Sequence, residues 1–244
     1  MEEKKEEKKK ILAIDSSGLV ASVAVMCGDE LTAEYTVNYK KTHSQTLLPM
    51  LEEVKKMTDL DLDSVDAIAV AAGPGSFTGL RIGSATAKGL GLALDKPLVT
   101  VPTVDGLAFN LYGTEKYVCP IMDARRNQVY TGVYRFERQG EQYVLKAVKE
   151  QCAVSIDEII DFLNEAGEEV VFLGDGVPVF RENIAAGSKV PYSFAPAHMN
   201  RQRAASIAAL GMVYLKQGKV QAAAEHAPEY LRMSQAERER LEKS

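Results

Sequence analysis

Hydrophobic residues along the chain fall into short continuous runs and into longer segments with helical spacing. The continuous runs predict strands, and they lie at 11–14, 20–26, 31–37, 67–72 and 98–101. Two segments between them predict helices, at 43–57 and 76–94, with a further helix after Pro102-Thr103. This alternation predicts an α/β fold with buried strands.

The second half of the chain repeats the pattern of the first. Ile11–Ile14 ends at Asp15, and Tyr117–Met122 ends at Asp123. Each aspartate precedes a short polar turn ("SSG" and "ARRN"), a strand, a glycine turn and a third strand. A helix at 155–164, a strand at 170–173 and "GDG" at 174–176 follow in the second half.

This internal repeat predicts duplicated βββαβα units in two lobes. Two such lobes face to face describe the actin-like and sugar-kinase (ASKHA, RNase H-like) superfold, in which the two Asp-bearing hairpins point into one cleft. An ordinary α/β domain with a hairpin is the alternative. The predicted organisation is a charged tail at 1–10, an N-terminal lobe at 11–108, a C-terminal lobe at 109–232 and a polar tail at 233–244.

Composition narrows the functional classes. The chain has 244 residues, 46% of them hydrophobic, which is enough for one large core or two modest ones. Its net charge of −5 is unfavourable for a protein that binds nucleic acid without a partner, and the sequence contains no run of alternating basic and aromatic residues. A bare tRNA-binding module is therefore disfavoured.

The three cysteines, Cys27, Cys119 and Cys152, are isolated in apolar runs and predict buried thiols in a reducing compartment. No Cys/His cluster suggests zinc. We expect no signal peptide, no transmembrane helix and a cytoplasmic location, because no apolar stretch approaches the length that spans a bilayer.

The stretch "GPGSFTGLRIG" at 73–83 stands between a strand and a helix, where glycine-rich turns often hold phosphate. It matches neither the P-loop nor G-x-G-x-x-G, and Pro74 removes one backbone N–H from such a cradle. Ser76 or Thr78 is placed to cap the helix, and a phosphate site remains the alternative.

Small residues recur every fourth position along the helix after this turn. One stripe contains Gly79, Gly83, Ala87 and Gly91, and a second contains Ala85, Gly89 and Ala93. Each glycine inside a helix lowers helix stability by about 1 kcal/mol relative to alanine. The glycines in these stripes therefore indicate close packing against another surface. Packing against the chain's own sheet explains one stripe, and we expect the other to receive a helix from another chain.

Five motifs together resemble the TsaB family, also called YeaZ. They are "ILAIDSS", "HSQTLLPML", "GPGSFTGLRIG", "MDARRNQVY" and the late "PEYLR" at 228–232. The resemblance covers nearly the whole chain past the charged tail, and the glycine-turn motif is the most specific of the five. It agrees with the actin-like superfold that the internal repeat predicts.

The resemblance implies a protein required for placing threonylcarbamoyl on the adenosine next to the tRNA anticodon. It implies three partners: a TsaD-type catalytic paralogue, a TsaE-type ATPase, and tRNA reached only through the complex. It implies no cofactor of its own, with ATP or ADP bound at the complex interface, and no membrane partner. The same helices are also expected to support a homodimer, because the paralogues resemble each other.

The resemblance also implies that this chain is not the catalyst. TsaD-type proteins carry a His-x-x-x-His metal pair after the glycine turn and the next strand. The corresponding stretch here is 103–107, and Thr103 and Leu107 stand at the two positions. The chain has three histidines, His43, His198 and His226. Their spacing matches no pattern of metal ligands. We therefore expect no metal site, no ATP hydrolysis and no peptidase activity.

The repeated aspartates define a candidate cleft. In sugar kinases such carboxylates bind magnesium or act as a base, whereas an Asp after a strand commonly caps a turn. Arg125 and Arg126 are candidates for phosphate contacts, and a hairpin with alternating charge is the alternative explanation for them. The residues assigned to a vestigial nucleotide cleft are Asp15, Ser16, Ser17, Asp123, Gly174 and Asp175.

The prediction is a non-catalytic scaffold that stabilises the catalytic paralogue. The alternative is a small-molecule kinase or ATPase of the same superfold. A helix pair, 43–57 and 76–94, is expected to form the partner interface. The predicted interface residues are His43, Leu47, Met50, Leu51, Val54, Gly79, Arg81, Gly83, Ala87 and Gly91.

Overall fold

The computed structural model describes residues 8–39 and 42–232. Most of the predicted charged tail, and the whole polar tail at 233–244, lie outside the described residues. The first lobe has a five-stranded sheet in the order β3-β2-β1-β4-β5. Its elements are β1 (Lys10–Asp15), β2 (Ala21–Cys27), β3 (Glu30–Val37), α1 (His43–Met57), β4 (Ala67–Gly73), α2 (Phe77–Leu94), β5 (Leu98–Pro102) and α3 (Thr103–Ala108).

The second lobe has a five-stranded sheet in the order β10-β9-β6-β7-β8. Its elements are β6 (Tyr117–Asp123), β7 (Gln128–Gln139), β8 (Gln142–Ser155), α4 (Ile156–Ala166), β9 (Val170–Leu173), α5 (Val177–Gly187) and β10 (Tyr192–Phe194). In each lobe the first strand is antiparallel to the second and parallel to the fourth. The predicted duplicated, two-lobed actin-like fold is confirmed.

Local signals in the sequence explain where the helices begin and end. The Ser76 hydroxyl accepts a hydrogen bond from the N–H of Gly79 at 3.3 Å and caps α2. The Ser155 hydroxyl caps α4 in the same way, through the N–H of Glu158 at 3.1 Å. Helix α4 then stops at Gly167, whose φ of 74° lies in the left-handed region that favours glycine.

One helix assigned to the second lobe packs on the first. Helix α6 (Ala204–Lys216) buries Ile207 and Leu210 against the face of the first sheet that carries Ile11 and Val101. Helices α1 and α2 cover the opposite face. Beyond α6, Gln221 exchanges backbone hydrogen bonds of 2.9 Å with Leu98. The predicted lobe at 109–232 therefore includes a C-terminal part that returns to the first lobe, because the apolar face of that sheet needs cover.

Candidate functional site

A cleft with a volume of ≈ 550 Å³ lies between the two Asp-bearing turns. Of the six residues assigned to it, Ser17, Asp123 and Asp175 line the cleft, together with His43. Asp15, Ser16 and Gly174 are buried behind its wall. The fold therefore places the two Asp-bearing turns at one cleft, and only half of the six residues line it.

Asp15 holds its own turn together. Its Oδ1 accepts hydrogen bonds from the N–H of Ser17 at 2.9 Å and from the Ser17 hydroxyl at 2.6 Å. The residue is 1% exposed, and this burial raises the pKa of its carboxyl to about 6, although the Ser17 hydrogen bonds oppose the shift. A carboxylate so enclosed supports the turn and is not presented to the cleft.

Asp123 repeats this arrangement in the second lobe. Its Oδ1 accepts a hydrogen bond from the N–H of Arg125 at 2.8 Å, and its Oδ2 lies 3.2 Å from Nη1 of Arg125. In the same lobe, burial raises the pKa of Asp175, which follows the neighbouring strand β9, and the nearby charge of Arg201 opposes that shift. Oδ1 of Asp175 has no hydrogen-bond partner among the described residues.

The glycine turn is filled by the chain's own backbone. A Cβ atom on Gly73 would clash with the carbonyl oxygen of Glu229. A Cβ atom on Gly75 would clash with the carbonyl oxygen of Ser17, whose oxygen also accepts a 2.7 Å hydrogen bond from the N–H of Ser76. These glycines allow close approach of neighbouring turns, and carbonyl oxygens stand where a phosphate would need N–H donors.

The first small-residue stripe of α2 faces inward. Gly79, Gly83, Ala87 and Gly91 are buried, and a Cβ atom on Gly79 would clash with the carbonyl oxygen of Ser16. The prediction that these four residues form an external groove is wrong, because β1, its turn and Ala223 occupy the space beside them. The second stripe, Ala85, Gly89 and Ala93, is the exposed one.

The apolar side of α1 also faces inward. Leu47, Met50, Leu51 and Val54 are between 2% and 6% exposed and belong to the core of the first lobe. The prediction that these four side chains meet a partner is wrong for the same reason as for α2, since the sheet needs an apolar cover. The outer face of the helix pair instead exposes Leu48 of α1 and Leu92 of α2, which are 56% and 59% exposed. Of the predicted interface residues, Arg81 is exposed and His43 is half-buried.

Sequence reasoning did not place the C-terminal segment, residues 226–232, in the site. The N–H of Glu229 donates to the carbonyl oxygen of Ala72 at 2.7 Å. Tyr230 stacks on Phe77, and Nη1 of Arg232 donates to the carbonyl oxygen of Ala124 at 2.6 Å. The segment thus joins both lobes across the mouth of the cleft. The "PEYLR" motif was its signal in the sequence.

Residues 103–107, which correspond to the paralogue's histidine pair, pack in the protein core. Thr103 is fully buried, and its Oγ1 accepts a 3.2 Å hydrogen bond from the N–H of Gly73. Leu107 is 1% exposed. Between them, Oδ1 of Asp105 accepts a 2.7 Å hydrogen bond from the Tyr134 hydroxyl. Within residues 8–39 and 42–232, no three His, Cys, Asp or Glu side chains converge as metal ligands.

No helix in the described part of the chain is both long enough and apolar enough to cross a membrane.

Comparison with known proteins agrees with the geometry. The family described as "TsaD: tRNA N6-adenosine threonylcarbamoyltransferase" matches residues 30–240. The TsaB protein of Bacillus subtilis, described as a tRNA threonylcarbamoyladenosine biosynthesis protein, is 32% identical over 234 residues, which is 95% of this chain and 98% of that protein. The TsaB protein of Escherichia coli is 33% identical over 54% of this chain and 57% of its own length.

A solved structure extends the similarity to the fold. YeaZ from Pseudomonas aeruginosa superposes with a TM-score of 0.77 at 26% identity, over 91% of this chain and 100% of that one. The likeness therefore includes both lobes and their connection. On this evidence the chain belongs to the TsaB (YeaZ) family of proteins of tRNA threonylcarbamoyladenosine biosynthesis.

Proposed function

We propose that this chain is a non-catalytic subunit of tRNA threonylcarbamoyladenosine synthesis that binds and stabilises a TsaD-type paralogue, together with a TsaE-type ATPase. Membership of the TsaB family supports the pathway. The buried Thr103 and Leu107, at the positions of the paralogue's metal histidines, support the non-catalytic role.

The observation that carries the partner role is the outer face of α1 and α2. A Cβ atom on Gly89 would have no neighbour within 4 Å, so the chain's own packing does not require glycine there. Ala85 is exposed one turn earlier on the same face. Leu92 is exposed three residues after Gly89, and Leu48 is exposed on the neighbouring helix α1. The small residues of this face allow another helix to pack closely.

The test replaces Gly89 by leucine. We expect Gly89→Leu to fold normally but to bind the paralogue about 5- to 150-fold more weakly, because overpacking a close contact costs ~1–3 kcal/mol. The matched control is Ala185→Leu, which adds a similar side chain to an exposed position of α5 in the other lobe.

Binding is measured by calorimetry with the paralogue from the same organism, and circular dichroism checks the fold. A folded Gly89→Leu variant with wild-type affinity would remove this face from the interface. Threonylcarbamoylation of tRNA is then assayed with each component omitted in turn. Modification without this chain would contradict the scaffold role.

The same face is also proposed to pair the chain with itself. A homodimer and the heterocomplex would then compete for one surface. Sedimentation of the full chain, with and without the paralogue, tests this directly. Gly89→Leu should weaken both assemblies together.

A further inference from the structure

Basic and aromatic side chains from three separate parts of the chain meet at the mouth of the cleft. Helix α2 contributes two, the β6–β7 turn two and the C-terminal segment two. We call this surface the basic-aromatic rim, and it consists of Phe77, Arg81, Arg125, Arg126, Tyr230 and Arg232. No stretch of the sequence shows it, because Phe77 and Tyr230 lie 153 residues apart.

The aromatic part of the rim is held rigidly. The ring centroids of Phe77 and Tyr230 are 4.7 Å apart, and the guanidinium carbon of Arg81 lies 4.0 Å from the centre of the Phe77 ring. Nε of Arg81 also donates to the Tyr230 hydroxyl at 3.3 Å. Tyr230 nevertheless remains 39% exposed. A fixed, partly uncovered ring is a surface on which any nucleobase can stack.

The rim is positively charged in a chain that is acidic overall. The side chain of Arg125 is 86% exposed although it pairs with Asp123, and Arg126 beside it is exposed as well. Arg125 and Arg232 line the cleft with three carboxylates, those of Asp123, Asp175 and Glu229. Arg81 adds a charge beside Phe77, and Arg126 adds one on the exposed turn next to Arg125. Asp175 is largely buried, and Glu229 accepts a hydrogen bond from Gln151, so the outward-facing charge is cationic.

The turn that presents two of these arginines has an unusual backbone. Arg125, Arg126 and Asn127 have φ values of 65°, 56° and 58°, the left-handed region that favours glycine. The equivalent turn of the first lobe, 16–18, has no positive φ. Glycine would adopt these φ values without strain. The presence of arginine at two of these positions therefore indicates a function for the arginine side chains in addition to the turn.

We propose that the basic-aromatic rim binds single-stranded RNA, with a base stacked on Tyr230 and neighbouring phosphates held by Arg125, Arg126 and Arg232. The choice of RNA rather than another polyanion rests on the proposed function, whereas the binding surface itself does not. Stacking plus guanidinium contacts is the general means by which proteins bind unpaired strands. The rim gives this subunit its own contact with the RNA substrate of the complex.

The experiment measures fluorescence anisotropy of a labelled single-stranded RNA with the full chain, without the paralogue, over a range of salt concentrations. We expect Tyr230→Ala to weaken binding at least about 5-fold and Tyr230→Phe to retain it, since the ring and not the hydroxyl stacks on the base. Arg126→Gln should weaken binding and reduce the slope of log affinity against log salt by about 0.7. Arg138→Gln is the matched control, because Arg138 is exposed at the far end of β7.

Three results would overturn the proposal. The first is no RNA binding by the wild-type chain at low salt. The second is wild-type affinity in both Tyr230→Ala and Arg126→Gln. The third is equal affinity for a duplex of the same sequence, whose bases are not free to stack. If Tyr230→Ala does not fold, the RNA affinities of Arg126→Gln and Arg138→Gln are compared instead, because both positions are on the surface. Calorimetry with the paralogue, run on the same variants, separates failure of the rim from failure of the scaffold role.

Discussion

At the scale of single residues, Asp15 shows how a side chain common at catalytic sites serves a turn instead. Its carboxyl is almost fully buried and accepts two hydrogen bonds from Ser17. Burial raises its pKa from 3.8 to about 6, so the folded chain holds a proton there more tightly than the unfolded chain does. The ionised carboxylate therefore lowers stability at neutral pH, and this cost disappears as the pH falls from about 6 towards 4.

We predict that Asp15→Asn folds, supports tRNA modification in the reconstituted system and is more stable than wild type at pH 7. The amide oxygen keeps the acceptor for Ser17, and removing the buried charge gains as much as ~3 kcal/mol in the free energy of unfolding. The gain should shrink as the pH is lowered to 4, because the wild-type carboxyl becomes protonated. Urea unfolding at several pH values measures it.

Asp15→Ala is the matched comparison for this prediction. It removes the same buried charge but leaves the Ser17 N–H and hydroxyl without their acceptor, so it should be about 1–3 kcal/mol less stable than Asp15→Asn. Complete loss of tRNA modification in Asp15→Asn with unchanged stability would mean that the cleft performs chemistry or holds an essential ligand.

At the scale of elements, α2 has two small-residue faces with different purposes. The inner face lets β1 and its turn approach the helix, since the space beside Gly83 is taken by the Ser16 hydroxyl, which donates to the carbonyl oxygen of Gly79 at 2.9 Å. The outer face leaves the space beside Gly89 open. Only the outer face is free for another chain.

We predict opposite effects on stability for the same change on these two faces. Gly89→Ala should raise the free energy of unfolding by about 0.5–1 kcal/mol, because alanine favours the helix and meets no neighbour. Gly83→Ala should lower it by about 1–3 kcal/mol, because the new methyl group displaces Ser16. Denaturant unfolding of the full chain compares them, and equal effects at the two positions would show that the faces are wrongly assigned.

At the scale of the whole molecule, the described residues fill or enclose parts of the two-lobed cleft that phosphoryl transfer would use. The glycine turn is filled by carbonyl oxygens, Asp15 is enclosed, and the C-terminal segment crosses the mouth from the first lobe to the carbonyl oxygen of Ala124. Carboxylates that coordinate magnesium and donors that cradle phosphates are the parts such catalysis requires.

We therefore predict that the purified chain hydrolyses no ATP above background in the presence of magnesium. A phosphate-release assay with the full chain measures this, and Asp15→Ala controls for contaminating ATPase, which the substitution would leave unchanged. Steady magnesium-dependent turnover that Asp15→Ala abolishes would favour the kinase or ATPase alternative and contradict the scaffold role.

Local patterns predicted the elements well and the site only in part. Strand runs, Ser76 as a cap and the repeated Asp-bearing turns depend on neighbouring residues, so they could be predicted from the sequence. Helices α5 and α6 were missed. Helix α6 consists almost entirely of apolar and small residues, so it lacks the clear amphipathic spacing that marks a helix.

By itself, the sequence determined the two-lobed fold, the family and the absence of the paralogue's histidine pair, because each depends on residue identity and short spacing. Only the tertiary structure decided which stripe of α2 faces the sheet, since stripes at the same spacing are equivalent until a partner surface covers one. It alone decided that Tyr230 meets Phe77 and that Arg232 reaches Ala124. Contacts between segments so distant along the chain arise from packing, which no local pattern records.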